Sequence, residues 1–253
     1  MKRFTHLQYI IIGALFFVSA LLANDNENNF LDLLESFKLW HETQPLKLHL
    51  GCGENHINGY INIDYPSSEH TVQTTSGADV FADIVTLRLP RESIDEIRSH
   101  HVFEHFDRQT ALALLCNWHH ALKNGGTLII ETPDFERSAK LLLLDESLSY
   151  KEKQAILRHI FGSHEARWAI HCDGWYEEKF LHVLSLLGFE KITIEHSRYL
   201  NLCNITVYAR KTKSLNHSEL VSIAKGILSE SLVAECETKM YQIWCEQLCN
   251  LCL

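Results

Sequence analysis

No long block of lysine or arginine occurs in the 253 residues, where 23 basic side chains face 32 acidic ones for a formal net charge of −9. Such a chain repels a phosphate backbone, which argues against nucleic acid as a partner. Internal repeats and low-complexity tracts are also missing. The apolar run "YIIIGALFFVSALLA" from Tyr9 to Ala23 has only 15 residues. At about 1.5 Å per residue it falls short of a hydrocarbon core of roughly 30 Å, unless Leu7 and Gln8 are drawn in. Methionine is scarce as well. Met1 and Met240 are the only two, so no internal methionine offers an obvious later start.

What surrounds the apolar run is a targeting profile. Met1-Lys2-Arg3 precedes it, "NDNENN" follows it, and Val18-Ser19-Ala20 or Ala23 supplies the small residues of a cleavage site. Cut, the segment is a signal peptide. Uncut, it ties the chain to a membrane through residues 7–23, with Lys2 and Arg3 on the cytoplasmic side. A buried or interfacial helix is the third option. Hydrophobic residues at 46% and charged ones at 22% fit a globular protein. The length suits one domain with additions: a leader or anchor over 1–23, a lead-in helix over 24–45, the main domain over 46–212 and a helical extension over 213–253.

Eight cysteines show no regular framework. Cys52, Cys116, Cys172 and Cys203 are scattered, as small buried hydrophobes are. Cys236, Cys245, Cys249 and Cys252 gather near the C-terminus, the last three on one helical face. That face reads as a packing stripe, with a soft metal or a partner chain as the alternative.

Periodicity supplies the architecture. Phe30 to His41 has helical spacing, and Leu46, Leu48 and Leu50 alternate with Lys47 and His49 as in a strand. Tyr60 to Asp64 does the same, and strands also read over Asp79–Ile84 and Ser93–Val102. A helix runs from Arg108, capped by Asp107 and ended by Gly125-Gly126, before the buried strand "TLIIETP". Phe135 to Phe161 reads as one or two helices, and Tyr176 to Leu187 as another, stopped by Gly188. "FEKITIE" and "LCNITVYAR" are joined too closely, around His196 to Tyr199, for a parallel crossover, so they are antiparallel neighbours. The expected fold is α/β, a Rossmann-like and mostly parallel seven-stranded sheet with helices on both faces and a terminal antiparallel hairpin. The helices of residues 213–253 carry apolar stripes, including Leu220, Ile227, Val233 and Ile243, and are the expected place for a protein partner or self-association.

After the first strand, Gly51 and Gly53 let the backbone bend sharply and approach a ligand. Asp64, at the end of the second strand, can accept hydrogen bonds from both hydroxyls of a ribose. The dinucleotide fingerprint is not met: His56 stands where its third glycine belongs, and Asp64 follows Gly51 by 13 residues instead of about 20. A phosphate-free cofactor such as S-adenosylmethionine fits better, with a nicotinamide-dependent oxidoreductase as a lesser alternative.

From Leu46 to Leu144 the chain resembles the class I S-adenosylmethionine-dependent methyltransferases. The likeness lies in Leu48-His49-Leu50-Gly51-Cys52-Gly53, Gly59-Tyr60-Ile61-Asn62-Ile63-Asp64, Asp83-Ile84 with Leu89-Pro90, Ser93 to Ile97, His101-Val102-Phe103-Glu104-His105 and Leu122-Lys123-Asn124-Gly125-Gly126. Residues 160–175 extend it. The resemblance implies that Gly51, Cys52 and Gly53 line the methionine portion. Asp64, with Tyr65 beside it, holds the ribose, Asp83 and Ile84 meet the adenine, and His100 lies beneath the cofactor. It also implies a reduced first helix between strands one and two. Asn124 stands where proline is usual, a change of turn preference. The donor is made in the cytosol, which conflicts with the leader.

Methyl transfer to oxygen or nitrogen needs alignment and removal of a proton. His101, Glu104 and His105 follow strand four, and His171 and Asp134 come from covering loops. His105 or His101 is the expected base, with Glu104 orienting it. The same residues spell H-x-x-E-H, a zinc-peptidase signature only if set in a long helix. A divalent ion on His101, Glu104, His105 and His171 is a further alternative, not the favoured one, and a purely structural trio is another. Phe135, Phe161, Trp168, Trp175 and Tyr176 are either acceptor-stacking or core residues. The expected acceptor is a small molecule or a glycan, and the competing expectation is a non-catalytic donor-binding module whose C-terminal helices dock a partner.

Overall fold

Short apolar strands punctuated by glycine form the centre of the molecule. The computed structural model describes residues 28–66 and 75–252, so the leader or anchor expected over 1–23 lies outside the described residues. The sheet comprises β1 (Lys47–Leu50), β2 (Ile61–Asp64), β3 (Val80–Phe81), β4 (Ile94–His100), β5 (Leu122–Pro133), β6 (Phe189–Tyr199) and β7 (Leu202–Lys211). Their order is β3-β2-β1-β4-β5-β7-β6, parallel from β3 through β5, with β7 antiparallel to both neighbours. This is the expected mostly parallel seven-stranded sheet with a terminal hairpin.

Central strands are covered on both faces, so even their polar residues are buried and must pair with one another. In β1 and β2, His49 and Asn62 are buried, and His49 Nδ1 lies 3.0 Å from Asn62 Oδ1. No helix separates β1 from β2; residues 51–60 are turns. The helices are α1 (Asn28–Ser36), α2 (Arg108–Ala121), α3 (Phe135–Leu144), α4 (Tyr150–Phe161), α5 (Glu177–Leu186), α6 (His217–Ser229) and α7 (Thr238–Leu251). Asp107 caps α2 by accepting from Thr110 N–H at 2.9 Å, as its position predicts. None of the described helices is long and apolar enough to cross a membrane.

Several boundaries differ from the periodicity reading. Gly125-Gly126 does not end α2, which stops at Ala121; the pair lies within β5, beside a register irregularity between Ile94 and Glu96. There Gly125 adopts φ 83°, so the glycines serve a strand distortion. His196 to Tyr199, expected in the hairpin link, belong to β6 and pair with Leu202 to Ile205. The lead-in helix ends at Ser36, short of His41.

The C-terminal helices share the domain core. Leu220, Ala224, Ile227, Leu228 and Leu248 are buried in the same cluster as the sheet, and α6 and α7 pack on α2. Gln109 Nε2 donates to Gln247 Oε1 at 2.8 Å, and Asn117 Nδ2 to Leu251 O at 2.9 Å. Of the stripe expected to meet a partner, Val233 and Ile243 remain exposed.

Candidate active site

Between β1 and β4 the chain switches from one half of the sheet to the other, the place where open α/β sheets leave a crevice beyond their carboxyl ends. Gly51 leaves β1 at φ 72°, and its N–H and that of Cys52 donate to Ile63 O at 2.8 and 3.1 Å. A side chain there is excluded twice: by the left-handed backbone, and because an added Cβ would stand 2.2 Å from Val102 Cγ2. Gly53, at φ 57°, donates its N–H to Asp64 Oδ2, while Tyr65 N–H donates to Oδ1 at 2.7 Å. The bend therefore faces the buried Asp64 carboxylate. Gly51, Gly53, Asp64, Tyr65, Ile84 and Val102 line one part of a cavity of about 270 Å³, which ends at His101, His105 and Trp168.

A second cavity, of about 340 Å³, begins at those same three residues and continues past Glu104, Arg158, His159 and His171. The wall between the two carries ionisable groups. His101 adopts φ 53°, a backbone region costly for a residue with a side chain. Its N–H donates to Glu131 O at 2.9 Å. Its ring lies between two carboxylates, with Nδ1 3.4 Å from Glu104 Oε1 and Nε2 3.2 Å from Glu131 Oε1. Burial opposes a charge on this ring, but the two carboxylates outweigh it and lift its pKa to about 10. Glu131 is held down at about 2, chiefly by its bond to His101.

His105 Nδ1 donates to Ile170 O at 3.2 Å, which leaves Nε2 to offer a lone pair when the ring is neutral. His171 packs edge-on against it with centroids 4.7 Å apart, and burial lowers the His171 pKa. Two wider depressions flank α5, one bordered by Glu136 and Leu186 and the other by Gly174 and Ile227; neither touches the glycine bend.

Residues 48–130 match the family described as a methyltransferase domain. That segment, about a third of the chain, supplies the glycine bend and the acid of the first cavity. Those residues form a methyltransferase domain. Solved structures with a similar fold include an Archaeoglobus fulgidus S-adenosylmethionine-dependent methyltransferase, 14% identical, spanning 74% of this chain and 95% of that one at a TM-score of 0.45. A Methanosarcina mazei S-adenosylmethionine-dependent methyltransferase is 12% identical over 72% and 98% of the two chains, at 0.43. Human N-acetylserotonin methyltransferase is 15% identical over 74% and 57%, at 0.42. No curated protein matches the sequence.

In the methyltransferase, five of the eight expected donor-site residues, Gly51, Gly53, Asp64, Tyr65 and Ile84, line the first cavity. Cys52, Asp83 and His100 do not. Cys52 is buried, and desolvation pushes its thiol up to about 12. Asp83 instead fixes a turn by accepting from Val85 N–H at 2.9 Å. His100 turns to the other side of β4, its ring 6.0 Å from that of His49, and burial holds its pKa at about 4. His101, Glu104, His105 and His171 do converge, whereas Asp134 is engaged elsewhere, with His196 Nδ1 at 2.9 Å. The H-x-x-E-H run begins just after β4 and covers a single 3-10 turn, Phe103–His105, so the long helix of a zinc peptidase is not built.

Glu131 and His159 were not foreseen. A carboxylate inside the apolar strand "TLIIETP" was the available signal for Glu131.

The His101–Glu131 pair makes stability depend on pH. A raised histidine pKa contributes fully below its unfolded value of 6.5 and loses that contribution as pH rises through about 10. The depressed Glu131 contributes above 4.5 and loses its contribution as pH falls through about 2. The melting-temperature gap between wild type and Glu131→Gln is therefore expected to be widest between pH 4.5 and 6.5 and to narrow toward both about 2 and about 10. Thermal melts across that range check it; a gap unchanged up to pH 10 would refute a charged His101.

Proposed function

We propose that this methyltransferase passes the methyl group of S-adenosylmethionine to a hydroxyl or amine of a small polar acceptor, a sugar included, bound in the second cavity. The observation that carries the reading is the common wall of the two cavities at His101, His105 and Trp168. An in-line displacement needs the donor carbon and the attacking atom at one point, and a wall shared by both sites supplies it. On this reading the bend at Gly51 and Gly53 passes beside the methionine portion, Asp64 holds the ribose and the adenine lies toward Ile84. The polar lining of Arg158, His159 and His171 supports a hydroxylated rather than a purely apolar acceptor.

His101 is unsuited as the base, because an imidazolium with a pKa near 10 has no lone pair at neutral pH. His105, with Nε2 left over, is the histidine assigned to the acceptor side. Titration calorimetry with S-adenosylhomocysteine tests the donor half. Wild type binds, and Asp64→Asn weakens binding at least about tenfold, the worth of a hydrogen bond to a charged group. An acceptor screen with radiolabelled donor tests the rest. On the acceptor it returns, His105→Gln lowers kcat by about 10² to 10⁴ while donor binding persists. No binding of S-adenosylhomocysteine at millimolar concentration would sink the reading.

A further inference from the structure

Glu104 is a buried acid whose environment is incomplete. Its side chain is 3% exposed and neither carboxylate oxygen has a hydrogen bond. His101 Nδ1 at 3.4 Å and His171 Nε2 at 3.9 Å both approach Oε1. Burying a carboxylate without full compensation is unfavourable, and in native proteins such a group is paired or coordinates a metal.

His101 pairs with it on one side, and the residues on its other side match the second case. One ligand atom each from Glu104, His105 and His171 lie within 4.8 Å of one another. A tetrahedral ion with bonds near 2.1 Å sets its ligands about 3.4 Å apart, so small side-chain rotations would close the set. The supporting contacts are also present. His105 donates Nδ1–H to Ile170 O, which fixes the ring and directs Nε2 away from it, as a metal-binding histidine requires. Cys172 N–H donates to Glu104 O at 2.8 Å, joining the loop that carries His171 to the turn that carries the other two.

We propose that Glu104, His105 and His171 hold a divalent transition ion of the zinc class, with an open coordination position in the second cavity for the acceptor's hydroxyl. Two imidazoles and one carboxylate favour such an ion over magnesium or calcium, which take oxygen ligands. Three protein ligands with a fourth position open is the pattern of catalytic rather than structural zinc. His101 stays outside the set and flanks the Glu104 carboxylate. With the ion bound, His105 Nε2 is a ligand rather than a base, and polarisation of the acceptor hydroxyl by the ion takes that role; only this use of the ion rests on the methyl-transfer reading, the site itself does not.

The test is titration of the full chain with Co²⁺, followed by its visible ligand-field bands, with displacement by Zn²⁺ and with Mg²⁺ as control. One saturable site is expected, without the strong near-ultraviolet band of cobalt–thiolate bonds that the C-terminal cysteines would give. Glu104→Gln and His171→Gln each weaken it at least tenfold. Both keep S-adenosylhomocysteine binding, because neither residue lines the first cavity. That retained binding also shows that the variants fold. No saturable site, thiolate bands, or variants that bind as wild type does would each overturn the proposal. Absence of S-adenosylhomocysteine binding in the wild type, with the cobalt site intact, would instead overturn the methyl-transfer reading alone.

Discussion

Gly51→Ala is expected to destabilise the fold by about 2 to 5 kcal/mol and to abolish measurable donor binding. The backbone at φ 72° is left-handed, which costs a residue with a Cβ roughly 1 to 2 kcal/mol. The new methyl would also meet Val102 Cγ2 at 2.2 Å and Cγ1 at 2.9 Å, an overpacking worth roughly 1 to 3 kcal/mol more. Val102 lines the first cavity beside His101, so any shift that relieves the clash is made at the donor site. Gly53→Ala makes the control. Its φ of 57° carries the same kind of strain, yet nothing lies within 4 Å of its added Cβ. The chain is expected to fold with a loss of about 1 to 2 kcal/mol, while the methyl projects from a residue that lines the first cavity and weakens the donor. Denaturant unfolding and calorimetry with S-adenosylhomocysteine separate the two effects. Wild-type affinity in Gly53→Ala would remove the donor from the bend.

The glycine bend and its acid were legible because both belong to a short stretch read off one after the other, strand, turn and strand. The fold class, a mostly parallel sheet ending in an antiparallel hairpin, followed similarly from alternating periods and from a link too short for a crossover. What failed depended on pairing between distant segments. Glu131 reaches His101 only because β5 lies beside β4 in the register that sets His100 opposite Glu131, which no local pattern specifies. His100 and His101 show the limit most sharply. His100 is the last residue of β4 and His101 the first beyond it, so the backbone turn between them decides which side chain reaches the cavity. The left-handed turn at His101 places that residue at the cavity and sends His100 to His49. The stripes of α6 and α7 were correctly apolar, but an apolar stripe does not say whether its cover is a partner or, as with Leu220 and Leu248, the chain's own helix α2.

Trp175→Ala is expected to cost about 3 to 5 kcal/mol, the usual loss for removing a buried large aromatic. Trp175 is 2% exposed, with ring centroids 4.8 Å from both Phe103 and Phe180 and Lys179 Nζ 4.2 Å above its ring. Its carbonyl also accepts from Phe135 N–H at 3.0 Å, where the chain enters α3. Phe103 shares a turn with Glu104 and His105, so the cavity left by the indole loosens the acceptor side as well. Trp168, grouped with Trp175 by sequence, has a different position: it is 37% exposed and borders both cavities. Trp168→Ala is therefore expected to change stability by about 1 kcal/mol or less while lowering affinity for S-adenosylhomocysteine. Parallel denaturant curves and calorimetry on the two variants decide between core and ligand roles. Equal destabilisation by both would place Trp168 in the core and break the wall on which the shared-site reading depends.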